Sequence, residues 1–170
     1  MSAETITTAL FLITAVVAAG VLINAVYPIV FNMAGTFSST THQSDVRIRT
    51  DFKIITTFAS TSAGTAQVWM KNTGSEPISL DEIKRSDVFC GEVGNFDRLA
   101  YQNVTPDILE NDKWTETFDS GYDLNNNQFW DPGETLKVTA KTTIPPTGSR
   151  IYFQFATPSG IWRSNEFTVS

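Results

Sequence analysis

The chain has 170 residues, with 12 Lys and Arg against 18 Asp and Glu and a formal net charge of −6. No Lys or Arg precedes Arg47, so the part after the first hydrophobic stretch holds all 12 basic residues and 17 of the acidic ones, a balance of 12 − 17 = −5. Phosphate recognition needs clustered Lys and Arg, so no nucleic-acid partner is expected. Cys90 is the single cysteine and His42 the single histidine. This excludes an intramolecular disulfide. A single His cannot form a zinc cluster, and no activated nucleophile for Ser-His-Asp or Cys-His chemistry is evident, so no catalytic residue is assigned and no enzyme is expected.

The amino-terminal stretch Ile6 to Phe31 contains no Asp, Glu, Lys, Arg or His. As a helix it is about 39 Å long, enough to cross a bilayer with some tilt. Backbone polar groups in hydrocarbon must bond to one another, which makes a helix the expected form. Residues 1–33 therefore read as a hydrophobic transmembrane or assembly helix. Met1 to Glu4 lacks the positive start of an ordinary secretory signal and no small-residue cleavage site follows Phe31, so the helix is expected to be retained. Asn24 and Pro28 fall in its second half, and Ala18, Ala19 and Gly20 form a small-residue patch suited to close helix packing. Glu4 sits where it favours the helix amino end, or pairs with a neighbouring subunit's terminal amine.

Residues 34–45 read as a polar spacer and hinge, and 46–170 as one extracellular β domain. Val46, Ile48, Thr50, Phe52 and Ile54 alternate with Arg47, Arg49, Asp51 and Lys53, the pattern of a half-buried strand. Further strands are expected at Thr65–Lys71, Lys84–Glu92, Arg98–Val104, Lys113–Phe118, Glu134–Ile144, Ser149–Ala156 and Gly160–Val169, with a short edge piece at Glu76–Leu80. Turn signals separate them at Asn72-Thr73-Gly74-Ser75, Thr105-Pro106-Asp107, Asp119-Ser120-Gly121, Pro145-Pro146-Thr147-Gly148 and Pro158-Ser159-Gly160. Short strands at this spacing predict an all-β sandwich, immunoglobulin-like. The aromatics Phe52, Trp69, Phe89, Trp114, Phe118, Tyr152, Phe153, Phe155, Trp162 and Phe167 mostly read as its core, with a glycan-stacking row as the alternative. Cys90, beside Val88 and Phe89, reads as core. The basic residues after the helix, taken alone, place the domain in the cytoplasm. They lie far from Phe31 among acidic residues, and the domain's composition places it outside.

One stretch carries chemistry. Asp123 to Glu134 reads DLNNNQFWDPGE. Oxygen-bearing side chains fall at loop positions 1, 3, 5, 9 and 12 (Asp123, Asn125, Asn127, Asp131 and Glu134), and the Phe129 carbonyl falls at position 7. This is the ligand spacing of a twelve-residue calcium loop, because Ca²⁺ takes six to eight hard oxygens and a wound loop turns alternate residues inward. Gln128 occupies position 6, where the motif uses Gly. Calcium is the one cofactor expected. Asn103-Val104-Thr105 is an N-glycosylation sequon, although Pro106 directly after it reduces its use.

The opening ETITTALFLITAVVAAGVLINAVYPIVFNMAGTFSS, the strand SDVRIRTDFKIITTFA and the segment KNTGSEPISLDEIKRSDVF together resemble the archaellin-related FlaG/FlaF family of archaellum (archaeal flagellum) accessory proteins, protein G above all. The resemblance covers about the first 90 residues and continues only as pattern, as in PGETLKVT. It implies a membrane helix, a β-sandwich outside the cytoplasmic membrane and a structural role in the archaeal motility machinery. Implied partners are the accessory protein F or a surface-layer protein, with self-association through the helix. The implied location is the archaeal cell envelope, anchored in the cytoplasmic membrane, or the archaellum filament itself. Unlike archaellins, the chain shows no basic leader before its helix, which points to an accessory component. The alternatives are an archaellin- or pilin-like filament subunit and a membrane-tethered calcium- or glycan-binding module.

Overall fold

The computed structural model of the chain describes residues 3–118 and 121–170. They fall into two compact units, Met1–Asp45 and Val46–Ser170. The turn expected at Asp119-Ser120 lies outside the described residues.

Helix α1 spans Ala3–Arg49, 47 residues with Pro28 inside it, or about 70 Å at 1.5 Å per residue. It is longer than the sequence suggested at its carboxyl end. Residues 34–45 continue the helix, and Val46 to Arg49 are its last turn, not the start of a strand. The polar spacer stays helical partly because its hydroxyls find partners within the helix. Thr36 Oγ1 donates to the Asn32 carbonyl at 2.9 Å and Thr41 Oγ1 to the Phe37 carbonyl at 2.8 Å, as Ser and Thr do in helices. The charge alternation at residues 46–49 is equally that of a helix end, where Arg47 and Arg49 complement the dipole. Ile48 is 82% exposed, so the expected apolar strand face does not form there.

Tertiary bonds fix the stop. Thr50 donates to the Val46 carbonyl through both its N–H (2.9 Å) and Oγ1 (2.8 Å). The Arg49 carbonyl accepts from the N–H groups of Ser75 (2.8 Å) and Glu76 (3.2 Å), and the Asp51 carbonyl from those of Thr73 (2.9 Å) and Gly74 (2.8 Å). A helix leaves its last carbonyls without intrahelical partners, and here a turn distant in sequence supplies one. Gly74 is obligatory at this approach, because a Cβ there would lie 2.4 Å from the Arg49 carbonyl oxygen and 2.5 Å from the Asp51 nitrogen. Arg49 also pairs with Glu76 at 3.4 Å.

The second unit is a β-sandwich. Strands β1 (Phe52–Ser60), β2 (Thr65–Asn72), β6 (Lys113–Thr117) and β8 (Thr135–Lys141) form one sheet in the order β1-β2-β8-β6, all antiparallel. Strands β4 (Asp87–Glu92), β5 (Asn95–Tyr101), β9 (Arg150–Ala156) and β10 (Trp162–Thr168) form the other in the order β5-β4-β9-β10. A short parallel join, Ala100 to Lys113 and Tyr101 to Trp114, links the two sheets. At the other side β1 and β10 come together, where Arg163 pairs with Asp51 and lies over the Phe52 ring. The core alternates as half-buried strands require: Ala66, Val68 and Met70 from β2, Leu136, Val138 and Ala140 from β8, and Ile151, Phe153 and Phe155 from β9 are all buried. Phe155 meets Phe52 at 5.6 Å and Trp114 at 6.0 Å, both edge-on, the geometry aromatic pairs favour.

Two elements depart from expectation. The piece at Glu76–Leu80 is a two-residue strand, β3 (Ile78–Ser79), followed by a short helix, α2 (Leu80–Lys84). Ser79 Oγ accepts from the Glu82 N–H at 3.2 Å, and Ser-x-x-Glu is a capping pattern. β3 pairs with β7 (Phe129–Trp130), a strand inside the loop read for calcium. Trp162 is also not core, since it is 55% exposed on β10.

Candidate functional site

Two features of the described residues lie beyond what the fold itself needs. The first is the surface of α1. Between Ile6 and Phe37, 17 large apolar side chains are exposed, from Val26 at 44% to Phe11 at 72%. Within the apolar span Ala3–Phe37 the most apolar window has a mean hydropathy of 2.5, and none of that window is buried. Fully burying such a side chain is worth about 1.5–3 kcal/mol. With roughly half of each already covered by the helix itself, the exposed set represents on the order of 20 kcal/mol of unused burial. The helix's polar side chains turn inward on its backbone: the hydroxyls of Thr7, Thr8 and Thr14 donate to the carbonyls of Ala3, Glu4 and Leu10 at 2.8–2.9 Å. Apart from Asn24 and Asn32, the surface between Ile6 and Phe37 is mostly apolar on every side, the pattern of a helix whose environment is lipid or other helices.

The second is the loop from Asp123 to Glu134. Asp123 and Glu134 are 4% and 6% exposed, although both are acidic. Each accounts for its burial by bonding to backbone. Asp123 accepts from the N–H groups of Asn127 (3.2 Å) and Gln128 (2.9 Å). Glu134 accepts from Leu124 (2.8 Å) and Asp131 (3.0 Å). Asp131 Oδ2 receives the side-chain amides of both Asn125 (2.7 Å) and Asn127 (2.9 Å), and Asn127 Oδ1 takes the Phe129 N–H at 2.8 Å. Gln128, where the motif uses Gly, has φ +64°, and Asn126 has φ +56°. The loop thus adopts the left-handed turn without glycine. Among the described residues no group of three or more His, Cys, Asp and Glu side chains is placed to hold a metal ion.

Sequence reasoning passed over Asn72, which ties this loop to the turn that stops α1. It is 1% exposed. Its Nδ2 donates to the carbonyls of Glu76 (3.0 Å) and Trp130 (2.8 Å), and its Oδ1 accepts from the Gly74 N–H at 2.9 Å. Its backbone exchanges bonds with Glu134 and Gly133 (3.0 and 2.8 Å). The Asn-x-Gly spacing is a turn signal in sequence, but nothing local marks the side chain as buried.

The remaining candidates are structural. Cys90 is buried, and burial pushes its thiol up to about 12, so it is no nucleophile. Asn103 is exposed after β5 and its Oδ1 accepts from the Tyr101 hydroxyl at 3.3 Å. Burial holds Glu116 above the ordinary carboxylate range, against the lowering effects of its own backbone, Tyr101 and Lys84. Tyr101 donates to it at 3.1 Å.

A long helix that exposes its apolar side chains, followed by a two-sheet β domain, is the class of architecture the described residues define. The chain belongs to the archaeal-type flagellin family, which it matches over residues 3–167. It is 28% identical over 143 residues to an uncharacterized protein of Archaeoglobus fulgidus, covering 83% of this chain and 82% of that one. The fold is shared with the archaellum periplasmic stator protein FlaG of Sulfolobus acidocaldarius, at 22% identity and a TM-score of 0.51, over 69% of this chain and 99% of that one. It is shared also with the FlaF–FlaG stator complex of the same organism, at 20% identity and a TM-score of 0.51, over 68% of this chain and 87% of that one. The likeness to the archaeal flagellum of Methanospirillum hungatei is more extensive, with a TM-score of 0.65 over 97% of this chain and 93% of that one, at 17% identity.

Proposed function

We propose that the chain is a non-catalytic structural subunit of the archaellum, held in the cytoplasmic membrane or the filament by α1 and displaying its sandwich outside. The observation that carries this is the exposed apolar surface between Ile6 and Phe37, which a folded chain leaves uncovered only when something else covers it. Family membership and the likeness to stator and filament proteins support the setting. The apolar span of 35 residues exceeds the roughly 20 that a bilayer needs. The excess suits lateral packing of helices on a second copy. By the same reading its partners are other archaellum proteins, of the FlaF kind above all, or a surface-layer protein.

The test is to remove detergent from the full chain with and without lipid vesicles. The chain is expected to enter the vesicles, or to polymerise without them. Val17→Asp with Ile23→Asp is expected to abolish both while the β domain melts as before. A wild-type chain that stays a dispersed monomer without detergent or lipid would overturn the proposal.

We propose in addition that the 123–134 loop takes calcium, with Asp123, Asn125, Asn127, Asp131, Glu134 and the Phe129 carbonyl as ligands. Gln128 already adopts the backbone conformation for which calcium loops use Gly. The Asn125 and Asn127 amides would turn their oxygens inward. A rise in melting temperature with millimolar calcium is expected, since a ligand of the folded state stabilises it. No shift at several millimolar calcium sinks this assignment.

A further inference from the structure

The β domain is acidic, yet its lysines are not scattered. Five of the six in the chain (Lys53, Lys71, Lys113, Lys137 and Lys141) lie on strands β1, β2, β6 and β8. The register puts them on one face. Lys53 stands opposite Lys71, Trp69 opposite Lys137, and Lys113 opposite Lys141. Directly opposed residues share a face, and so do residues two apart on a strand. The other face is the core, with Ala66, Val68, Met70, Leu136, Val138 and Ala140. The lysine face is therefore the outer one. Lys53 and Lys71 are exposed and Lys137 half-exposed, whereas its β6–β8 half lies under residues 104–109, where Thr115 and Thr139 are buried and Thr115 and Lys141 bond to the Val104 and Leu109 carbonyls. The single carboxylate on these four strands is Glu116, which alternates with Thr115 and Thr117 and so lies on the core side beside Tyr101.

Two of these opposed pairs are lysine on lysine, an arrangement that destabilises a sheet. None of the five makes an ion pair among the described residues. Lys137 lies over the Trp69 ring at 5.2 Å, and Lys141 donates to the Leu109 carbonyl at 2.8 Å. Packing does not require positive charge here, and a domain with 16 acidic residues (18 − 2, Glu4 and Asp45 lying before it) could have neutralised it. An acidic surface laid on this face would relieve the repulsion.

The same domain carries such a surface. Glu92, Asp97 and Asp112 line a polar depression of about 320 Å³ at the end of the sandwich, together with Thr142 and Thr143. Glu92 and Asp97 make no ion pair among the described residues. We infer that the uncovered part of the lysine face, Lys53, Lys71 and Lys137, docks on the Glu92–Asp97 end of a second copy of this chain. The two surfaces differ, so the contact is head-to-tail and propagates. The inference rests on the assembly reading above for the identity of the occupant. It adds a salt-sensitive contact between β domains to the apolar one between helices.

The test uses the full chain in nonionic detergent, with isotope-labelled and unlabelled protein mixed and treated with a zero-length carbodiimide, which joins amines to carboxylates in contact. Crosslinked peptides of mixed isotope are expected between Lys71 or Lys137 and Glu92 or Asp97. Their yield is expected to fall about tenfold between about 50 and about 500 mM salt. Lys71→Glu with Lys137→Glu should abolish them, and mixing that variant with Glu92→Lys, Asp97→Lys protein should restore association. This rescue cannot come from an unfolded variant. Oligomers that persist without these crosslinks, or crosslinks confined within single chains, overturn the lysine contact alone. Absence of all oligomers in detergent and lipid overturns the assembly reading as well.

Discussion

Replacing Asn72 by Ala tests whether one buried amide holds the helix-stopping turn and the 123–134 loop together. The Asn72 Nδ2 donates to the Glu76 and Trp130 carbonyls at 3.0 and 2.8 Å, in a residue 1% exposed. Alanine removes both donors and leaves the carbonyls without them. Each such loss costs about 1–2 kcal/mol in a buried site, so about 2–4 kcal/mol is expected in total. A domain of this size loses about 4 °C per kcal/mol, giving a fall in Tm of about 8–16 °C. The assay is denaturation of the full chain in detergent followed by tryptophan fluorescence, since Trp130 is one of the bonded partners. Asn72→Asp sharpens the test. Its carboxylate places acceptors against two carbonyls, so folding raises its pKa. Its stability should be best below the ordinary carboxylate range and lost as pH rises through the raised value, so that near pH 7 it melts below the alanine variant. An alanine variant within about 0.5 kcal/mol of wild type, or an aspartate variant indifferent to pH, would refute the argument.

Other substitutions probe separate points. Gly74→Ala is expected to cost more than about 2 kcal/mol, because its Cβ meets backbone at 2.4 and 2.5 Å. Gly94→Ala, with φ +89° and open space around it, should cost only about 1 kcal/mol of backbone strain by the same denaturation assay. Burial disfavours the charged form of Glu116, and its Oε2 has no partner among the described residues. Its contribution is therefore best below its ordinary 4.5 and declines as pH rises through the raised folded value. Glu116→Gln should melt higher than wild type near pH 7 and match it at low pH, and a gap of constant size across pH would contradict this. Cys90, with its thiol pushed up to about 12, should resist iodoacetamide at pH 8 until the domain unfolds, as mass spectrometry of the alkylated chain will show.

The sequence made the helix start, the β class and most strands legible, because each rests on a local pattern: an uncharged run for α1, and period-two alternation for β2, β8 and β9. The end of α1 was not legible. Residues 46–49 satisfy a strand pattern and a helix end equally, and the choice is made by N–H groups of residues 73–76. α2 could have been found from its Ser79-x-x-Glu82 cap. The 123–134 loop was visible as a spacing of oxygens, and the structure accounts for two of its carboxylates, Asp123 and Glu134, through backbone bonds and for Asp131 through the Asn125 and Asn127 amides. The lysine face was invisible for a different reason. Each strand shows its own lysines, but only the pairing of β1 with β2, β2 with β8 and β8 with β6 brings them together.

The turn that ends α1 bears on how this protein can drift. Arg49 and Asp51 are held there through their carbonyl oxygens, and Ser75, Glu76 and Thr73 through their N–H groups. Those groups are the same in nearly every amino acid, so most letters at the junction are free to change over generations without altering the hand-over from helix to strand. The information concentrates in two positions, the absent side chain of Gly74 and the amide of Asn72. A random-variant library should show this stretch as broadly permissive around two nearly silent columns.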